Sequence, residues 1–136
     1  MRIISFLFLM IIATASCTNN PNSERAEKNY ERAKENLADT EKKNPTKFLF
    51  AAGDKKKNLI GQTVVKGSIT NTAKMITFKD IDVKITFYSK TGTLLEEDHE
   101  KVYENITPGT TLKFKTKFFT PKGTDSLALQ VVDARY

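Results

Sequence analysis

The chain has 136 residues, one cysteine and a formal net charge of +6 at neutral pH. This length suits a single domain with appendages, and one cysteine excludes a disulfide bond within the chain. The basic residues form no run dense enough to indicate a nucleic-acid-binding protein. The sequence also contains neither a glycine-rich phosphate loop nor a zinc-type Cys/His spacing.

The amino-terminal segment has the layout of an export signal. Arg2 precedes an apolar run from Ile3 to Ile12, and small residues follow up to Ser16. This order is typical of a secretory signal, and the run is shorter than the ~20 apolar residues that span a bilayer. Cys17 comes next, so residues 1–16 resemble a bacterial lipoprotein signal peptide.

The resemblance implies cleavage before Cys17 and acylation of that cysteine. Stable anchoring takes more than one acyl chain, a condition that a diacylated or triacylated Cys17 meets. The alternatives are an ordinary signal peptide with a cysteine nearby and an uncleaved anchor. We predict that residues 17–22 form a lipidated tether. No acidic cluster resembling a surface-export signal follows Cys17, so the predicted location is the bacterial cell envelope, at the outer membrane and facing the periplasm.

Residues 23–43 are predicted to form one charged helix, with six basic and six acidic side chains. Ser23 is a suitable cap, the final lysines suit the negative end of the helix dipole, and Pro45 ends the segment. A thin apolar stripe follows helical spacing and consists of Ala26, Tyr30, Ala33 and Leu37. The helix is interpreted as a spacer or a lightly docked element; a short coiled coil or partner-binding helix is the alternative.

In residues 44–136, apolar side chains recur at every second position, and this segment is predicted to form one β-domain. In the central stretch, Phe78 to Gly92, alternate residues are apolar, as in a strand with one buried face. A loop is predicted at Gly53–Asn58, and Gly67 indicates a close backbone approach or a bulge. The predicted strands are Lys47–Ala51, Thr63–Asn71, Phe78–Tyr88, Thr93–Leu95, Glu100–Ile106, Leu112–Phe119 and Leu127–Val132.

Seven short strands with turn signals between them predict an all-β fold. The expected architecture is a seven-stranded immunoglobulin-like antiparallel β-sandwich preceded by one short α-helix. A domain of this size buries a sufficient core without disulfide bonds.

Three motifs in this domain carry a family resemblance. Val65 to Asn71 reads V-x-G-x-I-x-N, Ile81 to Gly92 runs from an apolar strand into a tyrosine-containing turn, and Pro108-Gly109 precedes the aromatic strand of Phe114. Together they resemble an FxLYD-type domain, with Tyr88-Ser89 standing where the family pattern has Tyr-Asp.

The resemblance covers Gly61 to Ala134, and its motifs are structural. The carboxy-terminal stretch also resembles small lipoproteins of Bacteroides-like bacteria. The resemblance implies an extracytoplasmic immunoglobulin-like module, and it transfers no catalytic residues to this chain.

The only histidine, His99, lies among four carboxylates between Glu96 and Glu100. Such a group could bind a metal ion, but consecutive strand residues alternate between faces, and a metal site needs ligands fixed in three dimensions. An exposed hairpin edge is the preferred interpretation, so neither a metal site nor a cofactor is predicted. No Ser-His-acid or Cys-His arrangement indicates an enzyme.

Lys113, Lys115 and Lys117 are predicted to form a basic stripe on one strand, with Phe119 at its end. In an immunoglobulin-like topology this strand is expected beside the central one, where Asp80 and Asp82 would pair with the lysines and mute the stripe. The binding interpretation is a surface for polyanions or lipid headgroups. Tyr88 and Phe119 are predicted on the same exposed face, either as an interaction hot spot or as a cross-strand aromatic contact.

These features predict a non-enzymatic, membrane-anchored extracytoplasmic lipoprotein whose sandwich mediates protein–protein interaction or envelope assembly. Its predicted partners are the membrane, through acylated Cys17, and a protein; nucleic acid is not predicted. The alternative is a binding module for anionic glycans or lipid headgroups, which uses Tyr88 and the three lysines.

Overall fold

A computed structural model describes residues 21–57 and 63–136; the predicted signal peptide and Cys17 lie outside them. The described part begins with helix α1, Pro21–Lys43, and the short helix α2, Pro45–Phe48. The strands are β1 Leu49–Lys57, β2 Thr63–Asn71, β3 Lys79–Ser89, β4 Leu94–Val102, β5 Thr111–Phe118 and β6 Thr124–Arg135. Helix α1 starts before Ser23, so this serine lies inside the helix rather than at its cap.

The described residues thus form six strands, where the sequence predicted seven. The predicted strands at Thr93–Leu95 and Glu100–Ile106 are largely one strand, β4, because the acidic run between them continues the pairing with β3. The predicted loop from Gly53 is also wrong as far as Lys57. Strand β1 pairs with β2 along its whole length, and these backbone partners outweigh the low strand propensity of glycine and lysine.

The strands form two antiparallel three-stranded sheets, in the orders β1-β2-β5 and β4-β3-β6. Alternate residues of each sheet face the other sheet, and the Phe87 and Phe118 rings meet edge to face with centroids 6.0 Å apart. The fold is therefore a β-sandwich. Its buried apolar core includes Leu49, Ile69, Phe78, Ile81, Val83, Val102, Ile106 and Val131.

Gly67 marks a close approach between two strands of one sheet. It lies opposite Phe114 in the β2–β5 pairing, and a Cβ atom at position 67 would lie 2.3 Å from two atoms of the Phe114 ring. The ring therefore occupies the space that any larger residue at position 67 would need. The close approach that the sequence indicated is confirmed.

We expect Gly67→Ala to lower the free energy of unfolding by about 2 kcal/mol, because the methyl group would force the Phe114 ring aside. Urea unfolding followed by circular dichroism measures this loss. The same substitution in a Phe114→Ala background should cost much less, because the obstructing ring is gone. An equal cost in both backgrounds would contradict the proposed contact.

Helix α1 contacts the sandwich through its carboxy-terminal end. Glu41 is fully buried, and its carboxylate accepts hydrogen bonds from the backbone N–H groups of Lys74, Met75 and Ile76 at 2.7, 2.9 and 3.1 Å. The side chains from Asn22 to Leu37 are all exposed. The helix is thus docked on the sandwich at one end and projects at the other, and its role as a membrane spacer stays a prediction.

Candidate binding surface

Strand β5 pairs with β2 and not with the central strand β3. The turn before β5 explains this pairing, since it is bonded to the end of β2: Gly109 N–H donates to Asn71 O at 2.8 Å, and Asn71 N–H donates to Thr110 O at 3.0 Å. The expected pairing of the β5 lysines with Asp80 and Asp82 is therefore wrong. Those aspartates belong to the opposite sheet.

The outward side chains of β1, β2 and β5 instead make a surface rich in lysine. Inward residues such as Val65 and Ile69 are completely buried, whereas the outward lysines of the three strands are exposed. We call this surface the basic face; its charged residues are Lys56, Lys66, Lys113, Lys115, Lys117 and Asp54. Five positive charges thus share one side of the sandwich with a single negative charge.

Within the described residues, the lysines of the basic face have no ion pair. The lysine–carboxylate ion pair of this part of the chain lies on the other sheet, where Lys84 contacts Glu97 at 3.2 Å, and His99 contacts Asp82 there at 2.8 Å. On the basic face, Lys66 lies between Asp54 of β1 and Lys115 of β5. The opposition of Lys66 and Lys115 is a pair of like charges, which is unfavourable, and Asp54 is the single acidic residue beside five lysines. The basic face therefore carries an excess of positive charge that favours the binding of anions.

A groove with a volume of about 680 Å³ crosses the basic face. The pairing registers place Ala52 beside Ser68, and Ser68 beside Lys113, so two small side chains form part of the groove. Lys66 and Lys115 stand in the adjacent row across the sheet. The residues that line the groove are Ala52, Gly53, Asp54, Lys66, Gly67, Ser68, Lys113, Phe114 and Lys115.

Tyr88 and Phe119 do not share a surface. Tyr88 lies on β3 and is half-buried, whereas Phe119 follows β5 of the other sheet and is 79% exposed. The predicted common face of these two aromatic residues is wrong, for the same reason as the predicted aspartate–lysine pairing.

His99 is an exposed residue of β4, which forms an edge of its sheet. Its Nδ1 atom lies 2.8 Å from Asp82 Oδ1, across the β3–β4 pairing. In residues 21–57 and 63–136, no group of three or more His, Cys, Asp or Glu side chains is arranged to hold a metal ion. Within the same ranges, no helix has the length and hydrophobicity that a membrane crossing requires.

No protein-family model, curated protein or solved structure matches this chain. The site must therefore be interpreted from its own geometry.

The alternation in β5 predicted three lysines of the basic face, whereas Asp54, Lys56 and Lys66 were not predicted as members. Lys66 had a usable signal, because it alternates with Val65 and Gly67 in a strand that was predicted with its observed bounds. Asp54 and Lys56 had no such signal, since their segment resembles a loop. Phe50, which is 58% exposed on the same face, was predicted in a strand of unknown pairing.

Proposed function

We propose that this chain is a membrane-anchored extracytoplasmic binding protein without catalytic activity, and that it recognises an anionic ligand through the basic face. The pairing of β5 with β2 carries this proposal, because it places the three β5 lysines on the same face as Lys66 and keeps Asp80 and Asp82 on the opposite sheet. Three of these four lysines line the groove. Lysines with no ion pair attract anions over about one Debye length, ~8–10 Å at physiological salt. A protein partner remains a prediction, but the aromatic face expected for it is divided between the two sheets.

The anchor in this proposal is acylated Cys17, on the periplasmic side of the outer membrane. Helix α1 supports a spacer role, since 23 residues extend about 34 Å at 1.5 Å per residue. The buried Glu41 holds the carboxy-terminal end of this spacer against the domain. The helix would thus separate the sandwich from the lipid surface.

We also infer that the sandwich is of the immunoglobulin-like, FxLYD type. Its first, second and fifth strands share one sheet, and its third, fourth and sixth share the other, which resembles the division of strands in immunoglobulin domains. The motif residues support this inference through their structural roles: Gly67 accommodates the Phe114 ring, and Asn71 binds three backbone groups.

The proposed function is tested by the retention of the full-length protein on phosphocellulose in a non-ionic detergent. We expect the variant K113Q/K115Q/K117Q to elute at a clearly lower salt concentration than the control K79Q/K90Q/K101Q. Both variants lose three exposed lysines and have equal net charge, but the control lysines belong to β3, β4 and their turn. Elution of both variants at the same salt concentration would show that net charge alone causes retention, and the proposal would fail.

A further inference from the structure

The basic face is organised as parallel rows across three strands. One row joins Lys56, Val64 and Lys117, the next joins Asp54, Lys66 and Lys115, and the third joins Ala52, Ser68 and Lys113. Successive rows lie about 7 Å apart along the strands, and neighbouring strands lie about 4.8 Å apart. The β5 lysines therefore form a line of charges about 14 Å long, which matches an extended ligand with repeated negative charges better than a single small anion.

A fourth row adds an aromatic border to this line. It joins Phe50, Thr70 and Thr111, on the same outward face as the lysines. The Phe50 side chain is 58% exposed, and the Thr70 and Thr111 hydroxyls are bonded to each other at 2.9 Å. Between this row and the charged rows lie the small side chains of Ala52 and Ser68.

This combination fits the chemistry of an acidic sugar chain. A pyranose ring has an apolar face that can lie on an aromatic ring such as Phe50, and its hydroxyl groups can bond to Ser68, Thr70 and Asp54. Its carboxylates, or phosphate substituents, would lie near the lysines. A lipid headgroup layer would also attract the lysines and could take up an aromatic ring at its interface, so anionic vesicles are one arm of the test.

The spacer role that the proposed function gives to helix α1 also disfavours a bilayer as the ligand. The exposed part of helix α1, residues 22–37, is about 24 Å long at 1.5 Å per residue. This length exceeds the ~8–10 Å range of surface electrostatics at physiological salt. Electrostatic attraction to anionic lipids, about 1 kcal/mol for each lysine near the surface, is lost beyond that range. A soluble or wall-bound polymer can reach the face at any distance from the anchor.

We propose that the basic face binds a linear anionic polysaccharide, with sugar rings against Phe50 and Ala52 and acidic groups along the lysines of β2 and β5. This inference rests on the proposed function and specifies its ligand class. Substitution of Phe50 therefore distinguishes recognition of sugar rings from electrostatic attraction that any anion would show.

The test measures binding of full-length protein, in non-ionic detergent, to oligogalacturonate of ten residues and to monomeric galacturonate. We expect the decamer to bind much more tightly than the monomer, and K113Q/K115Q/K117Q to weaken decamer binding at least about tenfold at low salt, as loss of several counterion-releasing contacts predicts. We expect Phe50→Ala to weaken decamer binding but to leave unchanged the salt concentration at which the protein elutes from a sulfonated polymethacrylate cation exchanger, which presents anions without sugar rings. Tyr103→Ala is the matched control, since Tyr103 is 69% exposed and lies outside the basic face.

Two results would overturn the inference while the proposed function stands. One is decamer binding by Phe50→Ala equal to that of the unchanged protein; the other is tighter binding to phosphatidylglycerol vesicles than to the decamer. Either result overturns the inference alone only if K113Q/K115Q/K117Q still elutes from phosphocellulose at a lower salt concentration than K79Q/K90Q/K101Q. Equal elution of those two variants would instead overturn the proposed function itself.

Discussion

Replacing Glu41 with alanine is expected to lower the free energy of unfolding by about 3 kcal/mol, which corresponds to a fall of about 10 °C in melting temperature. The carboxylate is fully buried and is the acceptor for the backbone N–H groups of Lys74, Met75 and Ile76. Its removal leaves these donors without their acceptor inside the protein. Each buried donor that loses its partner costs about 1–3 kcal/mol, partly recovered where the loop can reach water.

Glu35→Ala is the matched control for this prediction. It removes the same side chain from the same helix at an exposed position, and we expect it to change stability by less than about 0.5 kcal/mol. Hydrogen exchange gives a local measurement as well, since the amide protons of residues 74–76 should exchange faster in Glu41→Ala. A Glu41→Ala protein as stable as the control would show that the helix is not held by this carboxylate.

Replacing Asn71 with alanine is expected to lower the free energy of unfolding by about 3 kcal/mol. The side chain is completely buried; its amide Nδ2 donates to the carbonyls of Ile76 and Ile106, each at 2.9 Å, and its Oδ1 accepts from Ala73 N–H at 2.9 Å. Asn71 thus joins the end of β2 to the segments before β3 and before β5. Alanine leaves three backbone groups without this partner.

Thr70→Ala serves as the comparison for Asn71→Ala in urea unfolding. Thr70→Ala also removes a side-chain hydrogen bond, the one to Thr111 at 2.9 Å, but that bond is exposed. Water replaces it, so we expect little loss of stability. Asn71→Asp should be destabilised at least as much as Asn71→Ala, because an ionised carboxylate cannot donate to the two carbonyls. Asn71→Asp with unchanged stability would contradict the assigned donor contacts.

Alternation of apolar and polar residues predicted which side chains face the core within most strands. The alternation in β3 predicted Ile81, Val83, Ile85 and Phe87 as buried, and all four are at most 1% exposed. Strand β2 was predicted with its observed bounds. The turn predicted to end at Gly92 is present, and Gly92 has a positive φ, as do Gly109 and Gly123. These features are local, because a period of two and a turn conformation depend on residues that are neighbours in the chain.

The pairing of the strands, and the surface that they form together, could not be predicted from local patterns. The partner of β5 depends on hydrogen bonds between the turn at Thr107–Thr110 and the end of β2, more than 30 residues away in sequence, and no periodicity encodes such a distant contact. The burial of Glu41 also depends on a distant contact, with the loop at residues 74–76. In the sequence, Glu41 cannot be distinguished from the other acidic residues of its helix. Alternation therefore revealed that the β5 lysines point outward. The long-range pairing decided that they join Lys66 in an unpaired basic face instead of meeting the aspartates of β3.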